Sequence, residues 1–199
     1  MSETMSATAP DRHPIGLIVT DDLQRNRLTV FFRLLLAIPH LIVLSVWGII
    51  VYIAVIVAWF AALFTSRVPT GLHNFNAQYL RYTTHVFGYL YLLADPWPPF
   101  GGTSVYPIDV RIDGPETQSR LGVFFRVILA IPALILASVF RYVNGIVAFL
   151  GWFYCLATGR MNEGMRNISA WLLRYELQTY GYLFLLTGRY PSLSGAPTA

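Results

Sequence analysis

Two arginines lie inside long apolar runs of the sequence, where a charge is costly unless it finds a partner. Arg33 stands in the run RLTVFFRLLLAIP, and Arg126 stands in the nearly identical run RLGVFFRVILAIP. Arginine can bind a phosphate or a carboxylate through two parallel hydrogen bonds. Two interpretations follow. Each arginine is an interfacial anchor that reaches back to the lipid headgroups, or it grips an anion, either a lipid phosphate or a carboxylate such as that of Asp95 or Glu176.

Four further arginines are candidates for contact with lipid or with a partner protein. Arg81 and Arg174 each stand in an LRY triplet, and Arg67 and Arg160 each follow the end of an apolar block. Basic residues beside apolar segments are typical of sites for anionic lipid on the cytoplasmic side of a membrane. For Arg81 and Arg174, a solvated helix face is the alternative interpretation.

Combinations of residues that could perform catalysis are scarce. The sequence has no Gly-rich phosphate loop, no nucleophile elbow and no zinc motif. The single cysteine, Cys155, stands in an apolar block, where a thiol stays neutral and inert. The histidines are not kept in the internal repeat described below, which argues against a symmetric metal or proton site: His13, His40, His73 and His85 align with Tyr106, Ala133, Arg166 and Gln178. We therefore predict a non-enzymatic protein without catalytic, cofactor-binding or metal-binding residues.

The composition points to a membrane protein. Of 199 residues, 55% are hydrophobic and only 12% are charged, against about a quarter charged in soluble domains. Two apolar blocks, residues 28–65 and 121–158, each exceed the roughly 20 residues of one transmembrane helix. The first residues lack the basic flank and short apolar segment of a cleavable signal peptide, so we expect the first block to stay in the membrane.

The basic residues also bear on the class of partner. All 14 are arginines, and they are spread over the ends of the apolar segments rather than gathered on one water-facing surface. This pattern argues against nucleic acid as a partner and favours membrane phosphates. We predict anionic lipid and either a membrane protein complex or a homo-oligomer.

One unit is written twice in this sequence, with an offset of 93 residues. About 30 of the 72 positions from 27 to 98 are identical in the second copy, and the offset continues without a gap, which indicates a tandem duplication. The predicted divisions are a disordered tail, a first unit, a second unit and a second tail, over residues 1–12, 13–102, 103–191 and 192–199.

Each unit is predicted to contain three elements. The first is a short half-buried strand, clearest in the alternating stretch YPIDVRID at 106–113 and weaker in HPIGLIVTD at 13–21. The second is the apolar block. The third is an amphipathic helix, over 72–94 and 165–187, whose tyrosines and mid-length charges suit the membrane interface better than the bilayer centre.

The apolar blocks are too long for one straight crossing, because 38 helical residues measure about 57 Å and the hydrocarbon core is about 30 Å thick. A hairpin of two helices is favoured by the turn-like residues Arg141, Asn144 and Gly145 in the middle of the second block. An interfacial helix up to Pro39 followed by one span is the alternative. Hairpins give four transmembrane segments, place both termini on the arginine-rich cytoplasmic side, and allow the strands to form a small cytoplasmic sheet.

Two stretches carry a resemblance to a known family: RLTVFFRLLLAIPHLIV and WFAALFTSRVPTGLHNFNAQYLRYTTHVFGYLYLLADPWPPF, together with their copies in the second half. They resemble the bacterial membrane proteins of domain of unknown function 4389, over about residues 27–191. The second copy departs from the pattern, with Asn162 and Glu163 where the first has Pro69 and Thr70. The resemblance implies a bacterial, in particular actinobacterial, plasma membrane protein, and it brings no established activity.

These observations together predict a mainly α integral membrane protein that is a scaffold or accessory subunit contacting anionic lipid and a membrane partner. The alternative is a small transporter or lipid-handling component with a path between the two pseudo-symmetric halves.

Overall fold

The computed structural model describes residues 12–102 and 105–194. The predicted tails, 1–12 and 192–199, therefore lie mostly outside the described residues. Within these ranges the chain is mainly helical, and its order of elements repeats.

The two copies contain matching elements. The first copy has strand β1 (Ile15–Val19), helix α1 (Arg27–Thr65), helix α2 (Thr70–Leu90) and a short 3-10 turn (Phe100–Gly102). The second copy has strand β2 (Ile108–Ile112), the short helix α3 (Arg120–Phe124), helix α4 (Arg126–Thr158) and helix α5 (Glu163–Leu183). The predictions of a strand, a long apolar segment and a further helix in each unit are confirmed.

Local sequence explains where the helices begin and end. Asn26 caps α1 by accepting a hydrogen bond from the backbone N–H of Leu28, and its counterpart Ser119 caps α3 in a similar way. Both long helices end at a residue in the left-handed conformation, Ser66 with φ 62° and Gly159 with φ 72°.

The predicted helical hairpins are wrong. Each apolar block continues as a helix through the turn-like residues: α1 spans 39 residues and α4 spans 33. The polar residues expected to form a turn find partners on α5 instead. The buried Asn144 donates to the Ser169 carbonyl at 3.3 Å, and Arg141 pairs with Glu176 at 3.2 Å. Because the Asn144 amide N–H and the Arg141 guanidinium both find partners on a neighbouring helix, a turn towards water is not required.

The strands of the two copies form one antiparallel sheet, as predicted. Leu17 pairs with Val110 at the centre of the register, and these residues are counterparts in the repeat. The alternation also follows the prediction, since Ile15, Leu17, Ile108 and Val110 are buried. A pseudo-twofold axis that relates the copies therefore passes through the middle of the sheet.

Each strand packs against the third helix of the other copy. A Cβ atom at Gly181 of α5 would collide with Ile15 of β1, and one at Gly88 of α2 would lie 3.2 Å from Ile108 of β2. The glycines thus permit the same close approach twice. The strand of each copy consequently packs on the other copy's third helix, across the pseudo-twofold axis.

Helices α2 and α5 form the middle layer of the fold. They contact the sheet on one side and the long helices on the other, and α5 is buried almost all round from Ser169 to Tyr182. The prediction that these helices lie at the membrane interface is therefore corrected: their polar residues bond to neighbouring elements inside the protein.

The long helices run antiparallel in the outer layer. Trp59 near the end of α1 donates to the Val123 carbonyl in α3 at 2.8 Å. Its counterpart Trp152 near the end of α4 donates to the Val30 carbonyl in α1 at 2.9 Å. The order of layers along the pseudo-twofold axis is the sheet, then α2 with α5, then α1 with α4.

Candidate functional site

The side chain of Arg33 is buried at the start of α1 and binds the end of α2. Its Nη1 donates to the carbonyls of Tyr89 at 2.5 Å and Ala94 at 2.9 Å, and its Nη2 meets the Asp95 carboxylate at 3.0 Å. The guanidinium carbon lies 4.2 Å from the centre of the Tyr89 ring. The last carbonyls of a helix carry partial negative charge, so the arginine fastens α1 to the end of α2.

Arg126 repeats this arrangement at the start of α4. Its Nη1 donates to the carbonyls of Tyr182 at 2.6 Å and Thr187 at 2.7 Å, and the guanidinium carbon lies 4.3 Å from the centre of the Tyr182 ring. The third acceptor differs in chemistry: Nη2 donates to the neutral amide oxygen of Gln118 at 2.5 Å. Within the described residues, Arg126 thus donates only to uncharged oxygens.

These contacts decide between the two interpretations of the arginines. Both side chains are 2% exposed, so the interpretation as interfacial anchors is wrong. A carboxylate partner is confirmed for Arg33, which binds Asp95. Glu176 pairs with Arg141 instead of Arg126. A lipid contact of either arginine stays a prediction.

Sequence reasoning missed two residues of the preceding loops that bind the chain beside these arginines. Arg25 donates to the Leu92 carbonyl at 2.8 Å and pairs with Asp21. Its counterpart Gln118 donates to the Leu185 carbonyl at 2.8 Å. The signal available was the repeat itself, since Arg25 and Gln118 occupy the same position of the unit and differ in charge.

The ion pair of Arg141 and Glu176 has no charged counterpart in the first copy, where Gly48 and Thr83 stand at these positions. Arg141 also donates to the Tyr180 hydroxyl at 2.5 Å. The Glu176 side chain is 5% exposed, and burial raises the pKa of its carboxyl to about 7 despite the neighbouring guanidinium. Burial disfavours the charged form of a carboxyl, and here this effect exceeds the attraction of the partner.

The LRY arginines face away from the long helices. Arg81 pairs with Asp109 at 3.0 Å and donates to the Val110 carbonyl in β2 at 3.0 Å. Arg174 is buried and donates to the Ser194 carbonyl at 2.8 Å. Both therefore connect α2 or α5 to adjacent chain on the sheet side of the fold. Their predicted contact with lipid or a partner stays a prediction.

Arg67 and Arg160 are exposed at opposite ends of the outer layer, because each follows the end of one of two antiparallel helices. Each end carries a second arginine. Arg120 donates to the Ser66 hydroxyl at 3.0 Å beside Arg67, and Arg27 donates to the Ala157 carbonyl at 3.0 Å near Arg160. The structure therefore brings two of the six predicted site residues to the ends of the apolar layer, each with a neighbouring arginine.

The outward faces of α1 and α4 are apolar and exposed. In the most apolar stretch of each helix, which is 18 residues long, only 22% of the residues are buried. Monomeric soluble proteins seldom expose continuous apolar patches beyond a few hundred Å². The exposed residues include Leu34, Ile42, Ile49, Ile53, Phe64, Val127, Ile135, Ile146 and Phe153. By length and composition, both helices could cross a membrane.

An apolar cavity of about 530 Å³ opens between α1 of the first copy and α4 and α5 of the second. Its wall combines α1 residues such as Val51 and Val55 with Leu134 of α4 and Leu183 of α5, and Arg126 contributes the charged part of the lining. Sequence reasoning predicted a path between the halves only as an alternative, and it did not predict this lining.

Histidine, cysteine and acidic residues of the described part of the chain bear on metal and thiol chemistry. There, no group of three or more histidine, cysteine, aspartate or glutamate residues is placed to hold a metal ion. Cys155 is buried beside the Met161 sulfur at 3.8 Å, in the apolar surroundings that the sequence predicts.

The fold and the arginine sites define a class of protein: two intertwined copies of one helical unit, with an apolar outer layer of two long helices. Comparison with family models places the chain more closely. It belongs to the family described as Domain of unknown function (DUF4389), whose model matches twice, at residues 27–101 and 120–194. No curated protein and no solved structure matches the chain.

Proposed function

We propose that this protein is a non-enzymatic scaffold or accessory subunit, embedded in one leaflet of the bacterial plasma membrane and holding a membrane partner. The observation that carries the proposal is the division of the molecule along its pseudo-twofold axis. One end is the apolar layer of α1 and α4, and the other end is the sheet, which carries Asp109 and Arg111. An amphipathic body of this kind suits the boundary between lipid and water.

The antiparallel pairing of α1 and α4 bears on their orientation. If these helices stood along the membrane normal, the pseudo-twofold axis would lie in the membrane plane. The sheet, which lies on that axis, would then sit at the depth of the bilayer centre. Charged residues such as Arg81, Asp109 and Arg111 would be placed in hydrocarbon, together with the open edges of both strands. Each of these placements is strongly unfavourable.

An orientation in the membrane plane removes this conflict. The pseudo-twofold axis then lies along the membrane normal, the apolar faces of α1 and α4 meet the acyl chains, and the sheet projects into water. Helix length points the same way, since the 39 residues of α1 measure about 58 Å and a hydrocarbon core of about 30 Å would require an extreme tilt. This orientation replaces the four transmembrane segments expected from the sequence.

Residues beside the long helices support the interfacial position. Trp97 and Phe100 are about half exposed and pack on His40 of α1, with ring centres 5.3 and 4.5 Å away. Tyr190, the counterpart of Trp97, is 44% exposed. Tryptophan and tyrosine favour the headgroup region. Arginines at both ends of the outer layer would contact anionic headgroups, and the positive-inside rule assigns this side, with both termini, to the cytoplasm.

The alternative function, a small transporter or lipid-handling component, divides into two cases. A transporter of polar solutes requires a polar path between the halves, whereas the contact between α2 and α5 contains Leu80, Leu173 and Leu177 in the main apolar core. The cavity between α1 and α4 instead favours the lipid-handling case.

Membrane extraction tests the bilayer contact. Replacing Ile49 and Ile146 on the outer faces of α1 and α4 with glutamate should shift the protein from the carbonate-resistant membrane fraction to the soluble fraction. Val105→Glu is the matched control, because Val105 is fully exposed outside the outer layer. An unchanged distribution of the double variant would contradict the proposed contact.

Affinity purification in mild detergent tests the scaffold role. We expect a stoichiometric membrane protein partner that is retained when the outer-layer arginines Arg67 and Arg160 are replaced with glutamine. Recovery of a lone monomer or of a homo-oligomer alone would overturn the scaffold proposal.

A further inference from the structure

The cavity beside Arg126 has the size and opening of a ligand site. Its volume of about 530 Å³ lies within the roughly 300–1,000 Å³ of small-molecule sites. Tyr52, Ile56 and Val127 belong both to its wall and to the exposed outer face, where they are 70%, 41% and 62% exposed. The cavity is therefore continuous with the apolar surface of the long helices.

Among the described residues, no carboxylate contacts the Arg126 guanidinium at the cavity. Arg126 is 2% exposed, its three acceptors are uncharged oxygens, and its Nε has no hydrogen-bond partner among the described residues. The neighbouring carboxylate of Glu116 is bonded elsewhere, to the Thr187 hydroxyl at 2.7 Å and the Gly188 N–H at 2.6 Å. A buried guanidinium without a contacting anion favours an anionic ligand.

The structure points to one ligand chemistry. We propose that this cavity binds an acyl chain that carries an anionic oxygen group, with the chain against α1 and α4 and the anionic oxygen at Arg126. A free fatty acid and an anionic phospholipid share this chemistry. The inference rests on the proposed bilayer contact, because the acyl chain enters from the outer face.

The second half of the repeat is unsuited to the same ligand. Arg141 and Asn144 stand where the cavity wall has Gly48 and Val51, so the corresponding apolar wall carries polar side chains. At the matching arginine, Arg33, an internal carboxylate already provides the anion, at 3.0 Å. One ligand is thus expected for each chain.

Native mass spectrometry of the purified, delipidated chain in a neutral detergent measures the number and affinity of bound ligands. Palmitate and phosphatidylglycerol are the probes, and hexadecanol and phosphatidylcholine are their uncharged or zwitterionic controls. Saturable 1:1 binding of palmitate, of phosphatidylglycerol or of both, at least tenfold tighter than binding of the matched control, is expected; which probe binds identifies the source. Binding of neither anionic probe above its control would overturn the proposal.

Two pairs of variants place the ligand. Leu134→Trp should fill the cavity and weaken binding about tenfold or more, whereas Leu41→Trp, at the equivalent position of the other half, should not. Gln118→Glu supplies Arg126 with an internal carboxylate and should weaken binding of the anionic probe while leaving the control unchanged. Asp95→Asn, the matched control near Arg33, should have no effect. Equal affinity in wild type, Leu134→Trp and Gln118→Glu would contradict the site.

The same data separate this inference from the proposed function. If the outer-face glutamates leave membrane extraction unchanged while palmitate still binds 1:1 and Leu134→Trp removes it, the bilayer contact fails and the site stands. If the protein leaves the membrane as expected but binds no anionic probe, the site fails alone. Unfolding temperatures verify that the four cavity and arginine-site variants remain folded: Leu134→Trp, Leu41→Trp, Gln118→Glu and Asp95→Asn.

Discussion

Arg33 in the first half and Arg126 in the second hold equivalent pairs of backbone carbonyls, yet only Arg33 meets a carboxylate. The difference comes from the loops: Asp95 supplies the anion in the first half, and Gln118 supplies an uncharged oxygen in the second. The comparison shows that the duplicated arginine has a structural task, which is to fasten a long helix to the end of the following helix. Both arginines bind the two carbonyls for this purpose, whereas the third acceptor is a carboxylate in one half and an amide in the other.

The halves also diverge in the middle of the long helices. Gly48 of α1 lines the apolar cavity, whereas its counterpart Arg141 forms an ion pair with Glu176. The same position of the unit therefore lines a cavity in one half and forms an ion pair in the other. The two halves thus differ at this position by an apolar cavity beside Gly48 and a buried carboxylate, Glu176, beside Arg141.

Replacing Arg33 or Arg126 should lower the free energy of unfolding more than the other substitutions below. Breaking a buried pair by removing one partner costs about 3–5 kcal/mol. Arg33→Met should cost up to the lower end of that range, because it leaves the Tyr89 and Ala94 carbonyls without their donor while Asp95, 26% exposed, keeps the Asn26 and Thr29 donors. Arg126→Met should cost less, because its acceptors are all uncharged. Chemical unfolding in detergent micelles measures both. Equal losses would contradict the electrostatic difference between the halves.

The buried carboxyl of Glu176 predicts a contribution to pH dependence that has no equivalent at Thr83, its counterpart in the first half. The carboxyl of Glu176 has a pKa of about 7 in the folded protein and an ordinary value of 4.5. Between these values the folded chain keeps a proton that the unfolded chain has released, so this group lowers stability as pH rises from about 4.5 to about 7. Arg141, Tyr180 and Tyr91 are the titratable groups around it.

Thermal unfolding over this pH range measures the effect of Glu176. Glu176→Gln should remove this fall in stability and be at least as stable as wild type at neutral pH. Thr83→Val, at the equivalent position of the first half, is the control that should leave the slope unchanged. A fall in stability between pH 4.5 and about 7 that persists in Glu176→Gln would assign this fall to another group.

The two halves remain equal at the tryptophans near the ends of the long helices, where substitutions should have only a small effect on stability. Trp59 and Trp152 donate the same hydrogen bond across the pseudo-twofold axis, at 2.8 and 2.9 Å. Phenylalanine at either position should lose one hydrogen bond, about 0.5–1.5 kcal/mol, and the two losses should agree. A clear difference between the two unfolding free energies would show that the contact between the long helices is not symmetric.

The elements that sequence patterns predict well are those specified by neighbouring residues. The alternation in YPIDVRID predicts β2, the helical spacing after Gly71 predicts α2, and the repeat predicts their copies. The continuity of α4 is different, because Asn144 and Arg141 resemble a turn until Ser169 and Glu176 of another helix satisfy them. Contacts so distant in sequence carry no local signal.

The candidate sites divide in the same way. The repeat identifies Arg33 and Arg126 as a matched pair, and Asp95 is among the carboxylates expected for them. Burial of both arginines depends on how α1 and α4 pack against α2 and α5, which composition does not specify. The exchange of strands between the copies is equally hidden, since β1 and β2 fit either third helix by their pattern alone.

The orientation of α1 and α4 in the membrane plane can be measured by labelling a cysteine introduced at either of two matched positions. Thr70 and Glu163 are exposed and follow opposite ends of the outer layer, and the wild type, whose Cys155 is buried, is the background. Thr70→Cys and Glu163→Cys are treated with an impermeant maleimide in intact spheroplasts and in inverted vesicles. We predict that both cysteines react from the same side, in inverted vesicles only. Reaction of the two cysteines from opposite sides would show that the long helices cross the membrane and would contradict the in-plane orientation.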